Sequence, residues 1–149
     1  MSKVVKFCSD FSESDFTSNQ QIKFFEYWKA LKGDRSMPSR ADINPGDVVS
    51  VLPYIILVEL SDGQYTVRLM GTICAEIFGE HTGKELGTIP AAVDAATRYD
   101  WLVENKKPYF NIKSLEYLNK DHVEASTIAM PLSSNDNDVD MIVLVHHFY

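Results

Sequence analysis

The stretch YIILVELSDGQYTVRLMG, residues 54–71, is the strongest indicator of fold in this chain. Its first part, residues 54–60, is rich in β-branched side chains, and residues 65–71 alternate between apolar and polar. The residues SDGQ at 61–64 lie between them and contain Asp-Gly, which is typical of the tight turn of a β-hairpin. The stretch therefore predicts two antiparallel strands joined by a short turn.

Helical patterns lie on both sides of this hairpin. Before it, apolar residues recur at three- and four-residue spacing over Asn19–Lys32, which predicts an amphipathic helix. Asn44–Pro45 predicts the start of a short helix, of roughly two turns, that ends before Pro53. After the hairpin, we expect a short helix over Thr72–Phe78 and a longer one over Ala92–Asn105.

Three further strands complete the chain, at residues 109–118, 123–131 and 140–149. The last is apolar on both faces over residues 141–145, so we expect it to be a central strand beside the first strand of the hairpin. Strands outnumber helical crossovers, which favours an antiparallel sheet. The predicted fold class is α+β: a five-stranded antiparallel sheet with helices on one face, plus N-terminal helices.

Length and charge limit the function further. A chain of 149 residues suits one domain; we predict an N-terminal arm over 1–17, loosely structured or short-helical, and a single domain over 18–149. The net charge of −7 argues against nucleic acid or an anionic membrane as a partner. With no secretory signal pattern, no membrane-span pattern and two widely spaced cysteines, the expected location is cytoplasmic.

Two stretches carry a family resemblance: YWKALKGDRSMPSRADINPGDVVSVLPYIILVEL at 27–60 and YTVRLMGTICAEIFGEHTGKEL at 65–86. Together with the order of elements, their motifs YWKALKG, MPSRADINP, LPY, RLMGT and FGEHTG resemble a PAS domain, in particular a bacterial stand-alone PAS-fold subfamily. The resemblance implies a sensory or relay role, through a ligand or cofactor held between sheet and helices or through dimerisation and partner contacts. It assigns no ligand.

The leading interpretation is a non-enzymatic sensory or regulatory domain that binds a small ligand and relays to a signalling partner or a second copy. The candidate pocket walls are apolar residues whose alternative role is plain core. They are Leu69, Ile73, Ile77, Phe78, Trp101, Ile128 and Met130. In the polar loop 35–42, Arg40 is a candidate contact for an anionic ligand; the alternative is a structural latch between Arg and Asp42.

Several other residues are of types that can bind a cofactor or a metal ion, and each also has a plain structural interpretation. Alternation places Tyr65, Val67 and Leu69 on the core face of their strand, so Arg68 is expected to be exposed or ion-paired. His81 is expected to be a solvated loop residue. His146 and His147 point to opposite faces of a strand and cannot share a metal ion. Cys74 is expected to be buried and inert, because no basic residue flanks it. Flavin and haem are therefore disfavoured, no metal is expected, and the cofactor is unknown.

Two alternatives stay open. The first is a protein-interaction module whose core is filled by aromatic side chains, of which the chain has 8 Phe, 7 Tyr and 2 Trp. The second is a small enzyme of the nuclear-transport-factor-like type, using Tyr99 with Asp100 or His147 with Tyr149. Neither spacing is diagnostic, and the motifs of 27–86 argue against it. Homodimerisation is predicted through the first helix and the N-terminal arm, because Phe24, Phe25, Tyr27 and Trp28 make that helix apolar over more than one face.

Overall fold

The structure is a computed structural model that describes residues 3–115, 118 and 120–149. Single 3₁₀ turns, among them Pro45–Asp47 and Leu52–Tyr54, connect its main elements where the sequence predicts one short helix. The main elements in chain order are β1 Lys3–Cys8, α1 Asn19–Lys32, β2 Ile55–Ser61, β3 Gln64–Met70, α2 Thr72–Phe78, α3 Ala95–Asn105, β4 Tyr109–Leu115, β5 Lys120–Leu132 and β6 Met141–Phe148.

The strands form one antiparallel sheet in the order β1-β4-β5-β6-β2-β3. The last strand, β6, pairs with β5 on one side and β2 on the other, which confirms its central position. The α+β fold with an antiparallel sheet is confirmed. The strand number is corrected from five to six, because residues 3–8 form a strand beside β4 and not a loose or helical arm. Pairing with the edge of β4, rather than a strong local pattern, stabilises this short strand.

Both faces of the sheet carry helices. Side chains alternate across each strand, so Ile128 of β5 lies on one face and Ala129 on the other. On the first face, α1 buries Phe24 and Trp28. On the second face, α3 buries Leu102, and α2 also lies on this side. The N-terminal helix α1 therefore packs on the face opposite the other two helices. We call these the α1 face and the α3 face.

Buried hydrogen bonds fix α1 to the sheet. The indole N–H of Trp28 donates to the carbonyl of Pro131 at 3.0 Å. The side-chain amide of Gln21 donates to the carbonyls of Ser126 and Val145 at 3.3 and 3.2 Å. Because an unpaired buried polar group costs about 1–3 kcal/mol, these contacts specify the position of the helix as well as its burial.

The second apolar face of α1 is covered by the same chain. The ring of Phe25 packs against Phe11 and Phe16, with centroids 5.4 and 5.5 Å apart. The segment before α1 thus covers Phe25, while Phe24 and Trp28 are buried against the sheet. Homodimerisation stays a prediction, and this helix face does not argue for it.

A β-bulge in the hairpin changes which face the end of β3 presents. Leu57 pairs with Leu69 but the next residue, Val58, pairs with Val67, so Arg68 is an extra residue. As predicted, Arg68 is exposed and ion-paired, with Glu59 at 3.5 Å. Leu69 is predicted to share the core face of Val67, and this is wrong. The bulge moves it to the α1 face, where it is 39% exposed.

Glycine is required where β3 meets α2. A Cβ atom on Gly71 would lie 2.2 Å from the carbonyl oxygen of Leu52 and 2.4 Å from that of Pro53. The Gly71 N–H also donates to the carbonyl of Ile55 at 2.7 Å. The motifs RLMGT and LPY, which are distant in sequence, therefore meet in one backbone contact that sets where α2 begins.

Candidate functional site

A cavity of about 90 Å³ lies on the α3 face, between the sheet, α2, α3 and the segment that joins the two helices. This volume has room for a few water molecules or a ligand of few heavy atoms, whereas pockets for drug-sized ligands are roughly 300–1,000 Å³. The wall is largely apolar. Its apolar residues include Ile56, Val58, Val67, Leu86 and Ile89.

Charged side chains line this apolar cavity. Arg98, only 11% exposed, pairs with Asp94 one helical turn earlier at 3.5 Å and hydrogen-bonds Tyr109. Lys113 comes from the facing strand β4, and its amino group lies over the ring of Phe78, 5.0 Å from the centroid. Among the side chains that the structure describes, which leave out residues 1–3, 116, 117 and 119–122, no carboxylate lies within ion-pair distance of Lys113.

The protonation of Lys113 reflects this environment. Burial lowers the pKa of Lys113 from 10.5 to about 8; repulsion from Arg98 lowers it further, and Asp94 opposes the shift. Lys113 is therefore largely charged at neutral pH. Burial raises the pKa of Tyr109 above its ordinary value, so its hydroxyl stays protonated.

His146 and Cys74 form a neutral pair deeper in the same region. The Cys74 sulfur lies 3.8 Å from Nδ1 of His146, and the Phe78 ring meets His146 edge to face. Burial lowers the pKa of His146 to about 3 and raises the pKa of Cys74 to about 12. Neither group is charged at neutral pH, and the expected buried cysteine is indeed buried.

His81 is packed into the cavity wall instead of being solvated, which corrects the sequence-based expectation. Its Nε2 lies 3.1 Å from the carbonyl oxygen of Phe78, and its backbone N–H donates to the sulfur of Met70 at 3.3 Å. Its Nδ1 is buried and has no hydrogen-bond partner in the described part of the chain. Because a carbonyl only accepts, the contact with Phe78 places a proton on Nε2.

A family model described as PAS domain matches residues 16–143, which is most of the chain. The chain belongs to the PAS domain family. Membership indicates a sensory or regulatory role in general, since PAS domains bind ligands or partners. The comparison with curated proteins and the comparison with solved structures each return no match.

The predicted pocket walls of this PAS domain do not converge on one cavity. Phe78 lines the cavity on the α3 face. Ile128 and Met130 are fully buried on the α1 face, so the sheet separates them from it. Trp101 packs against Tyr109 at the margin of the α3-face core, with ring centroids 6.4 Å apart. Alternation along a strand shows which side chains share a face, but the sequence alone does not show which helix covers that face.

The other predicted site residues lie elsewhere. Ile73 and Ile77 are half-buried on α2 and do not line the cavity. Leu69 and Arg40 line a second, wider groove on the α1 face, with a volume of about 370 Å³. Arg40 is the one charged residue among the described residues that line this groove, whose wall is otherwise apolar apart from Thr72.

The polar loop of the PAS domain contains the latch that was the alternative interpretation. Arg35 donates to Asp42 at 2.8 Å and to the carbonyl of Leu31 at 2.6 Å, which ties the loop to the end of α1. Asp42 also accepts from the backbone N–H of Ser39 at 2.9 Å. Arg35 and Asp42 therefore already satisfy one another.

The residue pairs of the enzyme alternative do not come together in the cavity. Asp100 accepts from the hydroxyl of Tyr65 at 2.6 Å and does not line the cavity, although Tyr99 does. His147 lies 2.7 Å from the hydroxyl of Thr17 and stacks on Tyr149. Tyr99 and Asp100 thus face different surroundings, whereas His147 and Tyr149 are neighbours that do not line the α3-face cavity.

Neither a metal-binding cluster nor a membrane-spanning helix occurs among the described residues. No group of three or more His, Cys, Asp and Glu residues there could hold a metal ion. None of the described helices is long and apolar enough to cross a membrane.

Sequence reasoning missed Arg98, Lys113 and Asp94. A weak signal was present in the sequence. Because every second side chain of a strand lies on the same face, Lys113 shares the inward face of β4 with Tyr109 and Asn111. A lysine on an inward face is unusual enough to mark a site. The sequence does not show that Arg98, fifteen positions earlier, meets it.

Proposed function

We propose that this PAS domain is a sensory or regulatory domain that binds a small molecule in the α3-face cavity and relays its occupancy to a partner or a second copy. The proposal includes no catalysis and a cytoplasmic location. The observation that supports it is the cavity itself: an apolar space enclosed by sheet and helices that contains Arg98, Lys113 and Asp94. Charged groups placed in such a space suit binding better than they suit folding.

The cavity borders a segment that can transmit occupancy. Residues 79–94, between α2 and α3, contribute Leu86 and Ala92 to the wall. The same segment is hydrogen-bonded to β3. The Val67 N–H donates to the carbonyl of Lys84 at 2.9 Å, and the Gly83 N–H donates to the carbonyl of Val67 at 2.7 Å. A ligand that displaces this segment would therefore alter the end of the sheet. The populations of the domain with the segment in place and with it displaced would follow the ligand's difference in affinity for these two states.

Native mass spectrometry of the freshly purified protein tests the proposal. We expect a mass above the denatured mass, from a bound small molecule. Ala92→Phe, which fills the cavity from its wall, should remove the excess. Ala30→Phe makes the same change on the exposed face of α1 and should keep it.

Two outcomes would overturn the proposal. One is an excess mass that persists fully in Ala92→Phe, since the ligand would then lie outside this cavity. The other is a clean mass in the wild type combined with no thermal shift from a library of small metabolites. That second result favours the protein-interaction module.

The interaction module has one observation in its favour. β1 is an edge strand, and its Val5 and Phe7 side chains are exposed, at 59% and 40%. An apolar edge strand can pair with the same strand of a second copy. This candidate function predicts a concentration-dependent dimer in analytical ultracentrifugation that Val5→Lys abolishes; a monomer at high concentration would exclude it.

A further inference from the structure

The charges of the described side chains that line the α3-face cavity do not cancel. Arg98 and Lys113 contribute two positive charges, and Asp94 contributes one negative charge. His146 is neutral because it is buried. These described lining residues are thus positive by one charge, inside a chain whose net charge is −7. This local excess identifies the sign of a complementary ligand.

Lys113 carries the excess charge. Its amino group has the face of the Phe78 ring at 5.0 Å, and a cation–π contact compensates a buried ammonium only in part. Asp94, the carboxylate that acts on this ammonium, is already paired with Arg98 at 3.5 Å. An anion in the cavity would supply the partner that Lys113 lacks among the described residues.

Arg98 can contribute to the same anion. A guanidinium has five N–H donors in a planar fork, and Asp94 and Tyr109 are its contacts here. The remaining donors suit the two oxygens of a carboxylate. The rest of the wall, including Val58, Val67 and Leu86, offers hydrocarbon.

We infer that the ligand is a small monocarboxylate, held by Arg98 and Lys113 through its carboxylate and by the apolar wall through its short hydrocarbon part. This inference rests on the proposed function and adds the chemical class. The single excess charge favours a monoanion over a phosphate that carries two charges. The volume of about 90 Å³ favours few heavy atoms, and the apolar wall favours an organic acid over an inorganic ion.

Isothermal titration calorimetry at pH 7 with butyrate tests the inference. The matched probes are butyramide, which has nearly the same shape without the charge, butylamine, which has the opposite charge, and inorganic phosphate. We expect binding of butyrate, and affinities at least about tenfold lower for each of the other three probes. Butyramide lacks the negative charge, butylamine carries a positive charge, and phosphate carries more negative charge than one excess positive charge balances.

Two variants assign the binding to these side chains. Lys113→Met should weaken butyrate by about tenfold or more while leaving butyramide unchanged or tighter. Lys107→Met, which removes an exposed lysine near the end of α3, should bind butyrate as the wild type does. Arg98→Lys keeps the charge and loses the fork, so it should weaken butyrate even if Lys113→Met does not fold.

The outcomes distinguish a wrong ligand class or site from a wrong proposed function. Equal affinity for butyrate and butyramide, or binding of phosphate in place of butyrate, overturns the carboxylate class and leaves a ligand-binding domain. Butyrate binding that is insensitive to both Lys113→Met and Arg98→Lys overturns the assigned site. The absence of both a co-purified ligand and any response to small molecules overturns the proposed function itself.

Discussion

The α1 face and the α3 face of the sheet are built from the same strands but differ in what they enclose. Under α1, Phe24 and Trp28 fill the interior, and the buried polar group Gln21 is fully engaged with strand carbonyls. Each face also has a cavity. The groove of about 370 Å³ on the α1 face has Arg40 as the one charged residue among its described lining residues, whereas the smaller cavity on the α3 face has Arg98, Lys113 and Asp94 in its wall. Packing explains the residues beneath α1, whereas the α3 face places three charged groups in an otherwise largely apolar wall.

The difference shows where a functional hypothesis belongs in this domain. The residues packed beneath α1 tolerate little change in volume, so they form the structural layer of the α1 face. A layer with a void and unbalanced charge is less stable than it could be, and natural proteins keep such costs at sites of function. The following predictions test this contrast between the faces.

The largest effect should come from truncating the α1 face. Phe24 is fully buried, so Phe24→Ala should lower the free energy of unfolding by about 3–5 kcal/mol through lost burial and the cavity left behind. Urea denaturation measures it. Val93→Ala, at an exposed residue, should change stability by less than about 0.5 kcal/mol. A loss below about 1 kcal/mol for Phe24→Ala would contradict a close-packed α1 face.

His146 should make the α3 face sensitive to acid. Its pKa is lowered from 6.5 to about 3 by burial, so between these pH values the unfolded chain binds a proton that the folded chain does not. Stability should fall as pH falls below 6.5, by about 1.4 kcal/mol per pH unit from this group.

The variant His146→Phe isolates that contribution. The loss of unfolding free energy between pH 7 and pH 5 should be about 2 kcal/mol smaller in the variant than in the wild type. Comparing each protein with itself removes any difference in packing at pH 7. Identical losses in the two proteins would mean that His146 is not buried in its neutral form.

Lys113 should produce an effect of the same sign in a higher pH range, with a smaller total because its pKa is shifted less. Because its pKa is lowered from 10.5 to about 8, the folded chain releases a proton first as pH rises, and stability should increase between pH 8 and pH 10. The groups that act on this ammonium are Arg98, Asp94 and Cys74, and His146 lies on the neighbouring wall.

Removing this charge should stabilise the empty domain. Lys113→Met should raise the free energy of unfolding at pH 7 by about 1–2 kcal/mol, because burying the ammonium is no longer necessary. It should also flatten the increase between pH 8 and pH 10 relative to Lys107→Met. Destabilisation by Lys113→Met with an unchanged pH profile would show that the lysine stabilises the fold, which would remove the contrast between the faces.

The smallest effect should come from the hairpin bulge, outside both layers. Arg68 and Glu59 form an exposed pair at 3.5 Å, with side chains 55% and 37% exposed. Arg68→Ala should therefore change stability by less than about 0.5 kcal/mol in urea denaturation. A loss above about 1 kcal/mol would mean that the bulge residue supports the fold and that the hairpin belongs to the structural core.

The local elements of this domain follow from its sequence. The predicted bounds of α1 and α2 agree with the structure, and the hairpin turn has Asp62 and Gly63 at positive φ, as its Asp-Gly sequence predicts. The continuous apolar run of β6 also indicated its central position. Periodicity, capping and turn chemistry act within a few residues, so one sequence is enough to read them.

The tertiary structure alone decided the faces and the site. Alternation shows that Ile128 and Ala129 lie on opposite faces, but only packing shows that Ile128 meets α1. The bulge at Arg68 moved Leu69 to the other face, because one inserted residue reverses every side chain after it. Arg98 and Lys113 become neighbours only when α3 packs against β4, since contact between distant residues depends on the fold of the whole chain.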